Sequence, residues 1–310
     1  MSDFFTATVL LATLASGIRL ATPFLLAALG ETLGQKSGVL NLGVEGVMLL
    51  GAYGAYYATL RTDSVLIGIG VGVVVGAFMG VVYGVVTLAL KAEQGISGIG
   101  IFIFGLGISD LLFQKQVGTP TPIDGLGHFS IPVLGDLPLI GEALFQQNVL
   151  VYVAFLLVPA LWFVINRTTF GLNVKAVGET PEAADSLGVS VDRTRYITII
   201  VGNAMAGLAG AALALELAIF QQNLTNGHGF IAIALVYFGA WRPSGVMAGA
   251  LVFGLIQAMV LQWKTLGIVV GTTASIVGMF PAVLTILVLV VVSRGTGAPA
   301  ALTRPFERGH

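Results

Sequence analysis

The 310-residue chain contains no cysteine. That excludes disulfides, a thiolate metal site and a cysteine nucleophile. Charge is nearly as scarce: Asp, Glu, Lys and Arg together make up 9% of the residues, against about 25% in a soluble domain. A water-exposed fold of this length could not cover its surface with so little charge, so lipid is expected to solvate most of the exterior. Histidine is limited to His128, His228 and His310, with no metal-binding spacing among them. A net charge of −1 gives no electrostatic reason for nucleic-acid binding. The first residues carry Asp3 and no Lys or Arg, so the basic start of a cleavable signal is missing. The first apolar stretch is expected to stay as a span.

What is present agrees with these absences. Hydrophobic residues reach 56% and there are 42 glycines, with a mean hydropathy of +0.96. Crossing about 30 Å of hydrocarbon takes roughly 20 helical residues. Apolar segments of that kind lie at about 5–29, 38–60, 65–90, 95–116, 149–166, 194–219, 243–263 and 274–293. A shorter one at about 228–241 reaches only about two-thirds of the way across, which suits either a half-helix or a strongly bounded span. The expected fold is a single all-α transmembrane bundle over 1–310, with about 8–10 spans.

Basic residues set the expected orientation. Counting the short segment as a crossing, one side holds Lys36, Lys91, Arg167, Lys175, Arg193, Arg195, Arg242, Arg294, Arg304 and Arg308. The other holds Arg61, Lys115 and Lys264, while Arg19 lies within the first span. The N-terminus is therefore expected outside and the C-terminus in the cytoplasm. The outer loop 117–148, with Pro120, Pro122, Pro132 and Pro138, reads as an irregular cap.

The inner loop 167–195 has more pattern. Thr180 is positioned to cap a short helix with Pro181 at its first position and Glu182 in its first turn; Asp185 follows, and Gly188 ends it. Ala183, Ala184 and Leu187 would form one small apolar face. Two helical turns cannot stand alone in water, so this helix is expected to dock on something. Gly68, Gly72, Gly76, Gly80 and Gly84 recur every fourth residue, and Gly202, Ala206 and Gly210 repeat the pattern. Such stripes let helix backbones approach closely in lipid.

Ionisable groups at membrane depth are candidates for function: Arg19, Glu45, Asp110 and Glu216. The spacing of Asn41 and Glu45 predicts one shared helix face, extended by Met48. Gly43 and Gly46 beside them would leave room for a solute. Asn203 and Gln114 add neutral polar groups. The simpler alternative is that Arg19 pairs with a carboxylate and the amides tie helices together. Two catalytic likenesses fail on spacing. GETLGQKS (30–37) lacks the glycine directly before lysine that a phosphate-binding loop needs. In Gly107-Ile-Ser-Asp110 two residues separate glycine from aspartate. The chain is therefore expected to bind no ATP itself; if it takes part in an ATP-driven process, the motor is a separate polypeptide.

Three stretches together carry a resemblance: LGETLGQKSGVLNLGVEGVMLLGAYGA (29–55), AVGETPEAADSLGVSVDRTRY (176–196) and GHGFIAIALVYFGAWRPSGVMAGALVFG (227–254). They resemble membrane subunits of the ABC importers for branched-chain amino acids, ribose-type sugars and nucleosides, nearest to the nucleoside, or simple-sugar, permeases. The resemblance implies a plasma-membrane permease of a prokaryote, with no catalytic residue and no cofactor of its own. A second, related permease, a cytoplasmic ATPase and an external solute-binding lipoprotein would complete the transporter. The segment from Thr180 to Gly188 would be the helix that couples to the ATPase. Asn41, Glu45, Met48 and Asn203 are then the candidate pathway residues. An ion-coupled transporter could use the buried carboxylates, but gives no reason for the capped inner helix.

Overall fold

A computed structural model describes residues 7–130, 141–292 and 297–307. The described chain is almost wholly helical. Helix α1 (Ala7–Lys36) leads through a turn into α2 (Val44–Thr62), and α3 (Val65–Gly84) runs on through a π-helical turn at Val85–Ala89. Next come α4 (Gln94–Gln116), a one-turn α5 (Gly141–Phe145), α6 (Val149–Arg167), α7 (Thr169–Glu179), α8 (Pro181–Ser186) and α9 (Val191–Leu217). The chain closes with α10 (His228–Phe238), α11 (Pro243–Thr265), α12 (Thr272–Gly278) and α13 (Phe280–Val292). Among the described residues, six helices are long and apolar enough to cross a membrane: α1, α3 with its π turn, α4, α6, α9 and α11.

Helix α2 is not among those six, yet it is the most enclosed. It packs on α9, α3 and α4, and Val47, Leu49, Ala52 and Tyr56 are all fully buried. A helix wrapped in protein has no need of a lipid-matched surface, which explains its lower hydropathy. The last apolar segment is two helices rather than one. Pro281 has no N–H to give and its ring crowds the preceding turn, and the helix is interrupted at Met279.

The glycine stripes lie where backbones meet. A Cβ added at Gly72 would meet Ala211, at Gly80 Ile200 and at Gly84 Tyr196, while Gly68 abuts Thr59 and Gly76 abuts Asn203. Gly202 lies against Gly30 of α1, and Gly210 against Met48 of α2. α9 therefore packs on three helices through positions where a side chain would not fit.

Helix starts follow local chemistry. Asn148 Oδ1 accepts from Val151 N at 3.0 Å and Thr168 Oγ1 from Gly171 N at 3.1 Å. Glu93, outside the membrane, takes Ile96 N at 2.5 Å and Gly95 N at 2.9 Å. Those two bonds hold its carboxyl below the usual range.

Two expectations need correction here. The 117–148 loop is not wholly irregular: β1 (His128–Ser130) pairs antiparallel with β2 (Gln146–Asn148), Phe129 opposite Gln147. Pro132 and Pro138 lie outside the described residues, as do Arg294 and Arg308. The 167–195 loop holds two helices. α7 was hidden by Gly171 and Gly178, which as helix residues look unfavourable. Gly171 abuts the Val164 and Ile165 carbonyls and Gly178 the Lys36 carbonyl, so both are needed for close approach.

Candidate functional site

The turn between α1 and α2 gathers a cluster of buried polar groups. Glu31 accepts from the Asn41 backbone N–H and from Gln35 Nε2, both at 3.0 Å. Gln35 Oε1 in turn accepts from Trp241 Nε1 at 2.8 Å. Asn41 Nδ2 donates to Asn203 Oδ1 at 2.9 Å, and Asn203 Nδ2 donates to the Ile199 carbonyl at 2.8 Å. From α3, Tyr83 Oη donates to the Leu40 carbonyl at 2.6 Å, while Leu40 N donates to Gln94 Oε1 at 2.9 Å. One network thus joins α1, α3, α4, α9 and Trp241 through seven residues of turn. A cavity of about 10 Å³ beside Glu31, Asn41 and Asn203 has room for roughly one water.

Asn41 and Glu45 do not share a helix face. Asn41 precedes α2, and its Oδ1 accepts from Gly43 N at 2.8 Å. That local bond competes with helix and holds a turn instead. Nor do Gly43 and Gly46 leave room for a solute, because Ile101 and Phe102 of α4 fill the space beside them. Met48 is fully buried.

Glu45 is only 1% exposed, and its carboxylate is engaged on both oxygens. Oε1 accepts from Thr225 Oγ1 at 2.6 Å and Gly227 N at 2.7 Å. Oε2 accepts from Gly229 N at 2.6 Å. These donors lie at the N-terminus of α10, where free N–H groups and the helix dipole favour an anion. The neighbouring His228 ring stacks on Phe24 of α1 with centroids 4.5 Å apart and bonds the Thr225 carbonyl. Glu45 therefore anchors the N-terminus of α10.

Arg19 pairs elsewhere. Its Nε lies 3.1 Å from Glu216 Oε1, and Glu216 Oε2 also accepts from Asn148 Nδ2 at 2.7 Å. This links α1 to the end of α9. Asp110 lies in α4 and accepts from the Asn223 backbone, with Oδ1 buried and without a partner.

At the opposite end of the bundle, α8 is held by its own chain. Thr180 makes no side-chain cap; its ψ of 78° departs from the extended values near 160° at Asn148 and Thr168, which do cap. Gly188, at φ +84°, closes the helix with two bonds, Val189 N to Ala184 O at 3.0 Å and Gly188 N to Asp185 O at 2.9 Å. The supposed apolar face is divided. Pro181 is buried, and Ala184 is 3% exposed, packed with Val177, Val191 and Phe306. Ala183 points outward and Leu187 is 85% exposed. Glu182 is exposed as well.

The C-terminal segment straps this end together. Ala301 N donates to Gly178 O at 2.9 Å, and Thr303 N to Gly38 O at 3.1 Å. Arg195, which sequence alone placed among the loop cations, is 1% exposed. Its Nε donates to Ser37 O and its Nη1 to Arg304 O, both at 3.1 Å. Glu31 was also missed, because hydropathy falls at residue 29 while the helix continues to Lys36.

Comparison with known proteins follows the same segments. The family described as branched-chain amino acid transport system, permease component, matches residues 13–293. A protein of Haloferax volcanii named putative glucose ABC transporter permease TsgC13 is 39% identical over 84% of this chain and 80% of its own length. The guanosine ABC transporter permease NupQ of Bacillus subtilis is 32% identical over 93% of this chain and 94% of its own. The nucleoside ABC transporter permease NupC of Lactococcus lactis is 30% identical over 91% and 92%. No solved structure matches the chain. With several helices able to cross a bilayer and a family match along nearly its whole length, the chain belongs to this permease family and is a multi-pass membrane permease of the ABC importer class.

Proposed function

We propose that the chain is the permease subunit through which an ABC importer passes nucleosides across the plasma membrane. The observation that carries this is the nearly end-to-end match to the permeases named for guanosine and for nucleosides. Hexose is the second reading, favoured by the higher identity to the permease named for glucose. Both solute classes are neutral and rich in hydroxyl groups, so a pathway of amides and aromatic faces would serve either.

The transporter would hold this chain, a second related permease, a cytoplasmic ATPase that binds the ATP, and an external binding lipoprotein. The excess of basic residues on the α8 side supports a cytoplasmic position for that side, and the N-terminus would then lie outside. Leu187 and Ala183 would then meet the ATPase, with Thr180, Pro181, Glu182, Ala184, Asp185 and Gly188 setting the geometry that presents them. Motion of α8 would pass through the Ala184–Val191 contact into α9, which carries Asn203. The Asn203–Asn41 bond would carry it to the turn before α2, and Glu45 on to α10. On this account Asn41, Glu45, Met48 and Asn203 move the pathway wall without lining it. The test is uptake by cells lacking this chain, with and without its return on a plasmid. Labelled guanosine should enter only with the chain present, and excess glucose or leucine should not compete. Competition by glucose alone would favour the hexose reading, and rescue of leucine uptake alone would overturn both.

A further inference from the structure

The segment from Ala218 to Gly227, between α9 and α10, is a shaped loop. Ala218, Asn223, Asn226 and Gly227 all have positive φ, from 40° to 90°. Asparagine and glycine tolerate that region best. Phe220, Leu224 and Thr225 point inward and are buried. Phe220 lies in a box of Tyr53, Tyr56 and Phe113, with ring centroids 5.3 to 5.8 Å away. Thr225 is fixed by Glu45. The remaining polar side chains, Gln221, Gln222, Asn223 and Asn226, point outward and are exposed.

Gln114, in the last turn of α4, is also exposed. It lines a cleft of about 510 Å³ together with Gln221, Gln222, Phe113, Gly118 and Pro120. None of the side-chain amides of Gln114, Gln221, Gln222 and Asn226 has a hydrogen-bond partner among the described residues. Asp110, one turn below Gln114, keeps a buried oxygen unpartnered beside the same loop. Asn226 also opens the next groove, where Phe230, Tyr237 and Thr285 follow one another along α10 and α13. Three free amides on a braced loop and a fourth on the end of α4, next to aromatic rings and away from α8, are suited to a neutral solute that donates and accepts hydrogen bonds.

We propose that Gln114, Gln221, Gln222 and Asn226 form an amide collar that receives the solute at the end of the bundle opposite α8, and that the groove along α10 carries it onward. This rests on the reading of the chain as a solute permease and names the residues that touch the solute. The collar does not need a charge, because a neutral sugar or nucleoside offers only hydroxyl and ring donors and acceptors. It also holds solute weakly, since exposed amides gain little over water.

The test uses the complete transporter, with its own ATPase, second permease and binding protein, in proteoliposomes. Gln114, Gln221 and Gln222 are changed to Ala singly and together. Uptake of labelled guanosine and of glucose, ATP hydrolysis without solute, and docking of the binding protein are all measured. Each single change should lower sub-saturating uptake about twofold to tenfold, the effect of one lost neutral hydrogen bond. The triple change should lower it further. Assembly, basal ATP hydrolysis and docking should stay as in the wild type. Variants as fast as the wild type would overturn the collar. So would a fall in docking that matches the fall in uptake, which would make this face a seat for the binding protein. Failure of the underlying reading looks different: the wild-type complex carries neither solute, and the variants are then compared on the solute it does carry.

Discussion

Glu45 Oε2 lies 2.6 Å from the backbone nitrogen of Gly229, so a carboxylate from α2 closes the N-terminus of α10. Replacing Glu45 with Gln sets an amide NH₂ against at least one N–H and removes the charge. Hydrogen bonds to charged groups contribute about 1.5–3 kcal/mol each. Glu45→Gln should therefore destabilise the fold by about 2–4 kcal/mol, read as lower folded yield and a lower Tm in detergent. Adding Arg19→Gln should bring no rescue, because Arg19 pairs with Glu216. Rescue should come instead in the Arg19→Gln, Glu216→Gln double variant relative to either single one, with a coupling of about 0.5–3 kcal/mol.

Glycine tolerance should divide by contact. Gly210→Ala drives a methyl into the Met48 carbonyl and should cost at least about 2 kcal/mol. Gly70 of α3 has open space around it, so Gly70→Ala should be neutral or slightly stabilising, by up to about 1 kcal/mol. Thermal unfolding of both variants in the same detergent checks the contrast.

Much of this architecture was legible because membrane helices announce themselves by length and hydropathy. The short α10 and the small α8, with Pro181 at its start and Gly188 after its end, were visible for the same kind of local reason. What was hidden depends on partners distant in sequence. The Asn41–Glu45 spacing suits a helix face, but the Asn41 side chain bonds Gly43 N and makes a turn. Glu45 looked like a pathway group because nothing local satisfies it; its partners come from residues 225–229. Arg195 counted as a loop charge because its acceptors, Ser37 O and Arg304 O, lie far along the chain. The amides of Gln221, Gln222 and Asn226 carry no signal in the sequence, since only the fold shows that they point outward.

Ala184 and Leu187, two of the three residues of the expected apolar face of α8, should behave differently. Ala184→Asp puts an unpaired carboxylate among Val177, Val191 and Phe306, at a cost of several kcal/mol, and should reduce the amount of folded permease. Leu187→Asp changes an exposed side chain and should leave folding intact. It should instead weaken ATPase association and lower solute-stimulated ATP hydrolysis about tenfold or more, since a charge would be desolvated in the docked state. Size-exclusion profiles of the permease alone and of the complex separate the two effects.

Orientation can be read without background labelling, because the chain has no cysteine. In intact cells a membrane-impermeant thiol reagent should modify Thr119→Cys, in the exposed turn after α4, and not Ser186→Cys on α8. Both should react after the membrane is opened. The reverse pattern would place α8 outside and remove it from any contact with an ATPase.

The most direct test of the central claim is guanosine uptake into proteoliposomes holding the complete transporter, with ATP supplied on the ATPase side and the loaded binding protein on the other. Accumulation should require ATP and should vanish when this chain is left out. It should also fall to the ATP-free level with Leu187→Asp, while the binding protein still captures guanosine. Accumulation without ATP, or undiminished by the loss of this chain, would contradict the account.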